Sequence, residues 1–152
     1  MIRTLAHAVT LTLSLAVASS AAALDLQTAT IADINEELAA GKLTSEKLVN
    51  AYLKRIDAYD KRGPNINAVI YLNKKAVAEA KKLDAERKAG KVRGPLHGIP
   101  IVLKDNFDTF DMQTTAGSQL LEGHIPPDDA FTVKKLRGVF LDENLRLEIE
   151  PR

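Results

Sequence analysis

The sequence predicts an α/β fold: a helical hairpin followed by sheet strands and helices. Three observations predict it. Two amphipathic helical patterns, Thr30–Ala40 and Thr44 to about Gly63, are joined by the short turn Gly41-Lys-Leu-Thr44. A five-residue run, Ile99-Pro-Ile-Val-Leu103, is apolar and partly β-branched, which reads as a strand buried on both faces. Between them lie a short apolar stretch, Asn67–Leu72, and a third helical pattern, Lys74–Ala89.

The first 23 residues read as a leader rather than as fold. Met1-Ile-Arg3 is a short cationic start, Leu5–Val17 is mostly apolar, and Ser19–Ala23 is a run of small residues in an A-x-A pattern. That order matches a secretory signal peptide cleaved near Ala23, so the chain is expected to be exported, periplasmic or secreted. A buried N-terminal helix is the alternative. The apolar stretch is too short for a comfortable membrane span. The expected division is therefore 1–23 leader, 24–137 folded region and 138–152 tail.

In the first helix Thr30 is placed to cap, with Asp33 three residues on, and Ile31, Ile34 and Leu38 recur at helical spacing. Gly41 supplies the stop. Thr44 opens the second helix, whose apolar stripe is Leu48, Ala51, Tyr52 and Ile56, and Gly63-Pro64 ends it. So short a turn packs the two as a hairpin. Asn67–Leu72 reads as a strand. Asn73 caps the third helix, where Ala76, Val77, Ala80 and Leu83 form a narrow stripe suited to close packing on a sheet. Asp128–Arg137 reads as the start of a fourth helix, with Phe131, Val133 and Leu136 apolar. Leu141–Ile149 is charge-rich, with only some apolar alternation.

Lys plus Arg number 21 and Asp plus Glu 20, so neither nucleic acid nor an anionic membrane is indicated as a partner. No cysteine is present, which removes disulfides, thiolate metal sites and cysteine nucleophiles. Asp105, Asp108 and Asp111 recur every third residue, which is not the spacing of a calcium loop. No metal and no cofactor are expected.

The chemistry centres on Lys104, at the end of the apolar run. An ammonium titrates near pH 10.4 in water, too high for a base at neutral pH, but burial at the end of an apolar strand lowers it. Such a lysine can take a proton from a serine hydroxyl. His97, Ser118 and Asp105 are also the right types for acyl transfer. No G-x-S-x-G elbow accompanies them, and His97 and His124 read as exposed loop histidines.

GPLHGIPIVLKDN, followed by TTAGS at 114–118, closely resembles the amidase signature family of serine hydrolases. The resemblance runs, with weaker motifs, from about Thr28 to Arg137. It implies a mixed-sheet amidase fold and hydrolysis of carbon–nitrogen bonds in small-molecule or peptide amides. It also implies that Lys104 is the base of a Ser–cis-Ser–Lys triad. In the family a glycine- and serine-rich segment and a G-G-S segment follow the lysine, supplying both serines and the oxyanion-hole amides. Neither occurs in this sequence, where Ser118 is the only serine after Lys104. A lysine base without a hydroxyl and oxyanion donors has little to do. The expectation is an exported amidase fragment, truncated before the serine motifs and inactive alone. The alternatives are a non-catalytic exported binding or regulatory module, and a half-enzyme completed by a second chain.

Overall fold

The structure, a computed structural model, describes residues 24–138. The leader expected at 1–23 and the tail beyond Gly138 lie outside the described residues.

Helix α1 (Ile31–Ala39) begins as its sequence dictates. Thr30 Oγ1 accepts from the Asp33 amide at 3.2 Å, and the Asp33 carboxylate accepts from the Thr30 amide at 2.8 Å, a reciprocal capping box. Those bonds hold the Asp33 carboxyl below its ordinary range. At its end Gly41 adopts φ +69°, and the amides of Lys42 and Leu43 return to the Glu37 carbonyl. The chain is thereby turned straight into helix α2 (Ser45–Arg55).

Thr44 Oγ1 caps α2 through the Lys47 amide at 3.1 Å. A second cap comes from far away. Asp84, on helix α3 (Ala76–Lys88), accepts from the amides of Ser45 and Glu46 at 2.7 and 3.0 Å. One carboxylate thus satisfies two orphan donors and pins α2 to α3. These two helices pack more extensively than any other pair among the described residues.

Helices α1 and α2 meet through Ile34 and Leu38 of α1 and Leu48 of α2, which form one buried cluster. Leu24, Leu26, Leu43, Tyr52 and Ile99 pack around that cluster. The second helix does not run as one element to Gly63. It passes at Ile56–Lys61 into a π-helical turn, and Gly63 then reverses the chain at φ +54°.

The expected sheet is not confirmed: among the described residues there are helices and extended segments but no strand. Asn67–Leu72 is not a strand: no described segment pairs with it, and the buried Asp60 engages two of its amides. Its carboxylate takes the amides of Ala68 and Val69, at 2.6 and 3.3 Å, that a ladder would have used. Burial raises the Asp60 carboxyl, but bonds from Lys61, Ala68 and Val69 outweigh it and hold the group below the ordinary range.

Ile99–Leu103 forms no strand and is not buried on both faces. Ile99 packs on the helical core, whereas Ile101 is 46% and Val102 91% exposed. A strand is buried by its neighbours, and no described segment lies alongside this one to pair with it. For the same reason the small-residue stripe of α3 meets α2 rather than a sheet, with Ala80 its buried member. Asn73 does not cap α3 directly. It closes a turn by accepting from the Lys75 amide at 2.8 Å, one residue before the helix starts.

Beyond Lys104 the chain is loop and turn, with a 3₁₀ turn at Gln119–Leu121, until helix α4 (Phe131–Gly138). Val133 buries its inner face. Arg137, on its last turn, donates to Asp111 at 2.7 Å, lies 2.9 Å from Asp129, and covers the Phe110 ring. It fastens the 108–112 loop to the helix.

Candidate active site

The lysine segment is approached through a loop, Gly94–Ile99, that three helices hold. From α1, the Asn35 side chain donates to the Pro95 carbonyl at 2.7 Å. From α3, Arg87 donates to the His97 carbonyl at 2.8 Å. From α2, Ser45 lies so close to Gly98 that any Cβ there would collide with its hydroxyl. Gly98 also sits at φ +81°, so glycine is required twice over at this one position.

His97 is not an exposed loop histidine. It is fully buried at the centre of this loop. Its Nδ1 accepts from the Arg93 amide at 3.2 Å, so Nε2 carries the proton and donates to the Leu83 carbonyl at 2.9 Å. With both nitrogens engaged by backbone, His97 is not placed to serve a serine. Arg93 itself forks onto Glu86, and that bond, against the effect of burial, holds the Glu86 carboxyl below its ordinary range. Sequence reasoning missed the whole arrangement. The one signal for it was the pair of glycines bracketing Pro-Leu-His.

Lys104 is exposed, with no partner for its ammonium among the described residues. The burial expected at the end of a strand is therefore not supplied by this part of the chain. Its carbonyl accepts from the Phe107 amide at 3.0 Å, making a tight turn. Asp105, within that turn, accepts from the Thr115 amide at 3.1 Å and from the Thr115 hydroxyl. The Thr115 hydroxyl bond, then its amide bond, hold the Asp105 carboxyl below the ordinary range. The Asp105 carbonyl in turn accepts from the Ala116 amide at 2.8 Å. The 114–118 segment is thus tied to the residue next to Lys104.

The three regularly spaced aspartates go separate ways. Asp105 serves Thr115, Asp111 serves Arg137, and Asp108 is exposed and offers its carbonyl to Ala130. Ser118 is half-buried at the start of the 3₁₀ turn, and His124 is exposed, its carbonyl accepting from the Thr114 amide at 3.0 Å. His97, Asp105 and Ser118 form no triad: the imidazole is committed to α3 and the carboxylate to Thr115.

This arrangement is shared. Residues 47–139 match the family model described as Amidase. The chain belongs to the amidase family.

Within that family it is similar to a Schizosaccharomyces pombe protein named as an amidase, 47% identical over 113 residues. It is also similar to one of the subunits of the glutamyl-tRNA(Gln) amidotransferase of Streptomyces avermitilis, 42% identical over 110 residues. These alignments cover 74% and 72% of this chain but 19% and 21% of the relatives. Among solved structures, the peptide amidase of Stenotrophomonas maltophilia matches with a TM-score of 0.71 at 48% identity, over 74% of this chain and 23% of that one. The amidase-family chain thus spans about a fifth to a quarter of the length of the relatives it matches. The matched region contains the pinned loop, the lysine turn and most of the helices.

Proposed function

We propose that this chain contributes the lysine-bearing part of an exported enzyme that hydrolyses amide bonds, with Lys104 as the base. The family match across 47–139, which includes the lysine segment and TTAGS, supports this reading above any other observation. In the chemistry proposed, the neutral amine of Lys104 accepts a proton from a serine hydroxyl. The serine oxygen then attacks the amide carbonyl, and the amine leaves with a returned proton. Water hydrolyses the acyl-serine. Likeness to a peptide amidase makes peptide amides the first substrates to try, with simple aliphatic and aromatic amides beside them.

We further propose that the 152 residues by themselves lack this activity. Ser118 is the only serine after Lys104, and it opens a 3₁₀ turn rather than a nucleophile elbow. Losing one oxyanion donor alone costs about 3 kcal/mol of transition-state stabilisation. Completion by a second polypeptide carrying the serine segments is the companion reading. It is supported by likeness to a protein that is itself named as part of a multi-chain amidotransferase.

The test is hydrolysis of peptide and simple amides by the purified chain, alone and mixed with a polypeptide carrying the serine segments of a relative. No turnover alone, and turnover in the mixture that Lys104→Ala abolishes, is the expected result. Turnover by the single chain that Lys104→Ala abolishes sinks the inactivity proposal, and Ser118 then becomes the nucleophile to examine. Mass spectrometry of the exported protein is expected to find a new N-terminus near Leu24, and an intact Met1 contradicts export by cleavage.

A further inference from the structure

Lys104 is a flexible side chain whose position depends on its backbone, and two turns interlock to fix that backbone. In the first, the Lys104 carbonyl receives the Phe107 amide at 3.0 Å. In the second, the Ser118 amide returns to the Thr115 carbonyl at 2.8 Å. Between them, Asp105 uses both its carboxylate oxygens and its own carbonyl. Oδ1 takes the Thr115 amide, Oδ2 the Thr115 hydroxyl, and the carbonyl the Ala116 amide. The Thr115 hydroxyl passes the link on by accepting from the Gly117 amide at 3.2 Å. A second thread runs from the Thr114 hydroxyl to the Phe107 carbonyl at 3.3 Å.

Ala116 supplies an independent sign that this junction is built rather than incidental. It stands at φ +48°, a left-handed conformation uncommon for a residue with a Cβ. Such a conformation persists where neighbouring bonds over-determine it, and the bond that holds Ala116 ends on Asp105.

We propose that Asp105 is a positioning residue: through Thr115 it locks the 114–118 turn onto the lysine turn, so that Lys104 and the Gly117–Ser118 backbone are held as one unit. The proposal rests on the reading of Lys104 as the base. A base displaced by about 1 Å from a productive geometry can lose about a hundredfold in rate, so fixing its turn matters to the chemistry.

The experiment is amide hydrogen exchange and side-chain NMR on the complete 152-residue chain. Four variants are compared with the parent: Asp105→Asn, Thr115→Val, Thr115→Ser and the double Asp105→Asn/Thr115→Val. Asp105→Asn and Thr115→Val are each expected to speed exchange at Phe107, Ala116 and Ser118 about tenfold or more. The Leu48 amide in α2 stays as in the parent. Thr115→Ser, which keeps the hydroxyl, restores parental exchange. The double variant exceeds Asp105→Asn by less than the full effect of Thr115→Val, because the bond between Thr115 and Asp105 is common to both changes and only the Gly117 amide bond is lost in addition. The Lys104 side-chain signals shift in Asp105→Asn while those of exposed Lys54 do not.

Unchanged local exchange in Asp105→Asn overturns the proposal, as do additive effects or unmoved Lys104 signals. Should Asp105→Asn loosen α2 as well, the Thr115 pair decides: equal exchange in Thr115→Val and Thr115→Ser overturns it. The base reading fails separately. An intact clip, together with hydrolysis in the completed enzyme that does not need Lys104, would sink that reading and leave Asp105's role standing.

Discussion

At the scale of single residues, side chains that capture backbone amides set several helix starts and turns. Asp84 is the clearest case. Its two oxygens satisfy the first amides of α2 from another helix. Removing it leaves two donors without partners at a half-buried site. Asp84→Ala is therefore expected to destabilise the fold by about 1–2 kcal/mol, measured by urea unfolding, with Asp84→Asn costing less. Glu86 and Asp105 make the structure sensitive to acid. Each carboxyl is held below its ordinary value by a hydrogen-bond donor, Arg93 for Glu86 and Thr115 for Asp105. A folded value below the unfolded one means that the unfolded chain takes up its proton first as pH falls. Their stabilisation is complete above the ordinary carboxylate range of about pH 4 and is lost as pH drops through the lowered folded values. Unfolding midpoints followed from neutral pH into acid should fall below about pH 4, and Asp105→Asn should make that fall shallower.

Among the elements, the helices and the extended segments obey different rules. A helix satisfies its own backbone, so α1, with its capping box and its Ile34–Leu38 stripe, was legible from Thr30 to Gly41. A strand needs a neighbour, and none is present beside Ile99–Leu103 among the described residues. The apolar run read as a strand buried on both faces, but no strand forms there among the described residues, because the run could not say what covers it. This yields a contrast within one short segment. Ile99→Ala should cost about 1–2 kcal/mol in thermal or urea unfolding, because Ile99 packs against the cluster of Ile34, Leu38 and Leu48. Val102→Thr should stay within about 0.5 kcal/mol, since that side chain is 91% exposed. Equal costs at the two positions would show that the segment is buried along its length. The Asn67–Leu72 reading failed for a related reason: periodicity does not reveal that Asp60 claims the amides of Ala68 and Val69.

At the scale of the whole molecule, the described residues are organised on a small helical core. Ile34, Leu38 and Leu48 are its buried centre, and Leu48 is fully enclosed. Leu48→Ala should cost about 2–5 kcal/mol, a large share of what a domain of this size possesses. Circular dichroism during urea titration should show loss of helix at much lower denaturant than in the parent. Outside that core, Ile101, Val102, Leu120, Ile125 and Phe131 are exposed. The sequence by itself determined the Thr30 and Thr44 caps, the Ile34–Leu38 face of α1, the Gly41 turn and the lysine motif that marks an amidase-family chain, because each depends on residues a few positions apart. Only the tertiary structure decided that Asp84 caps a helix 39 residues earlier in the chain and that His97 is a buried bridge. It also decided that Asp105 belongs to Thr115 rather than to a metal or a triad. Those pairings join residues 10 to 39 positions apart, and a polar side chain in a sequence does not announce which distant donor will reach it first.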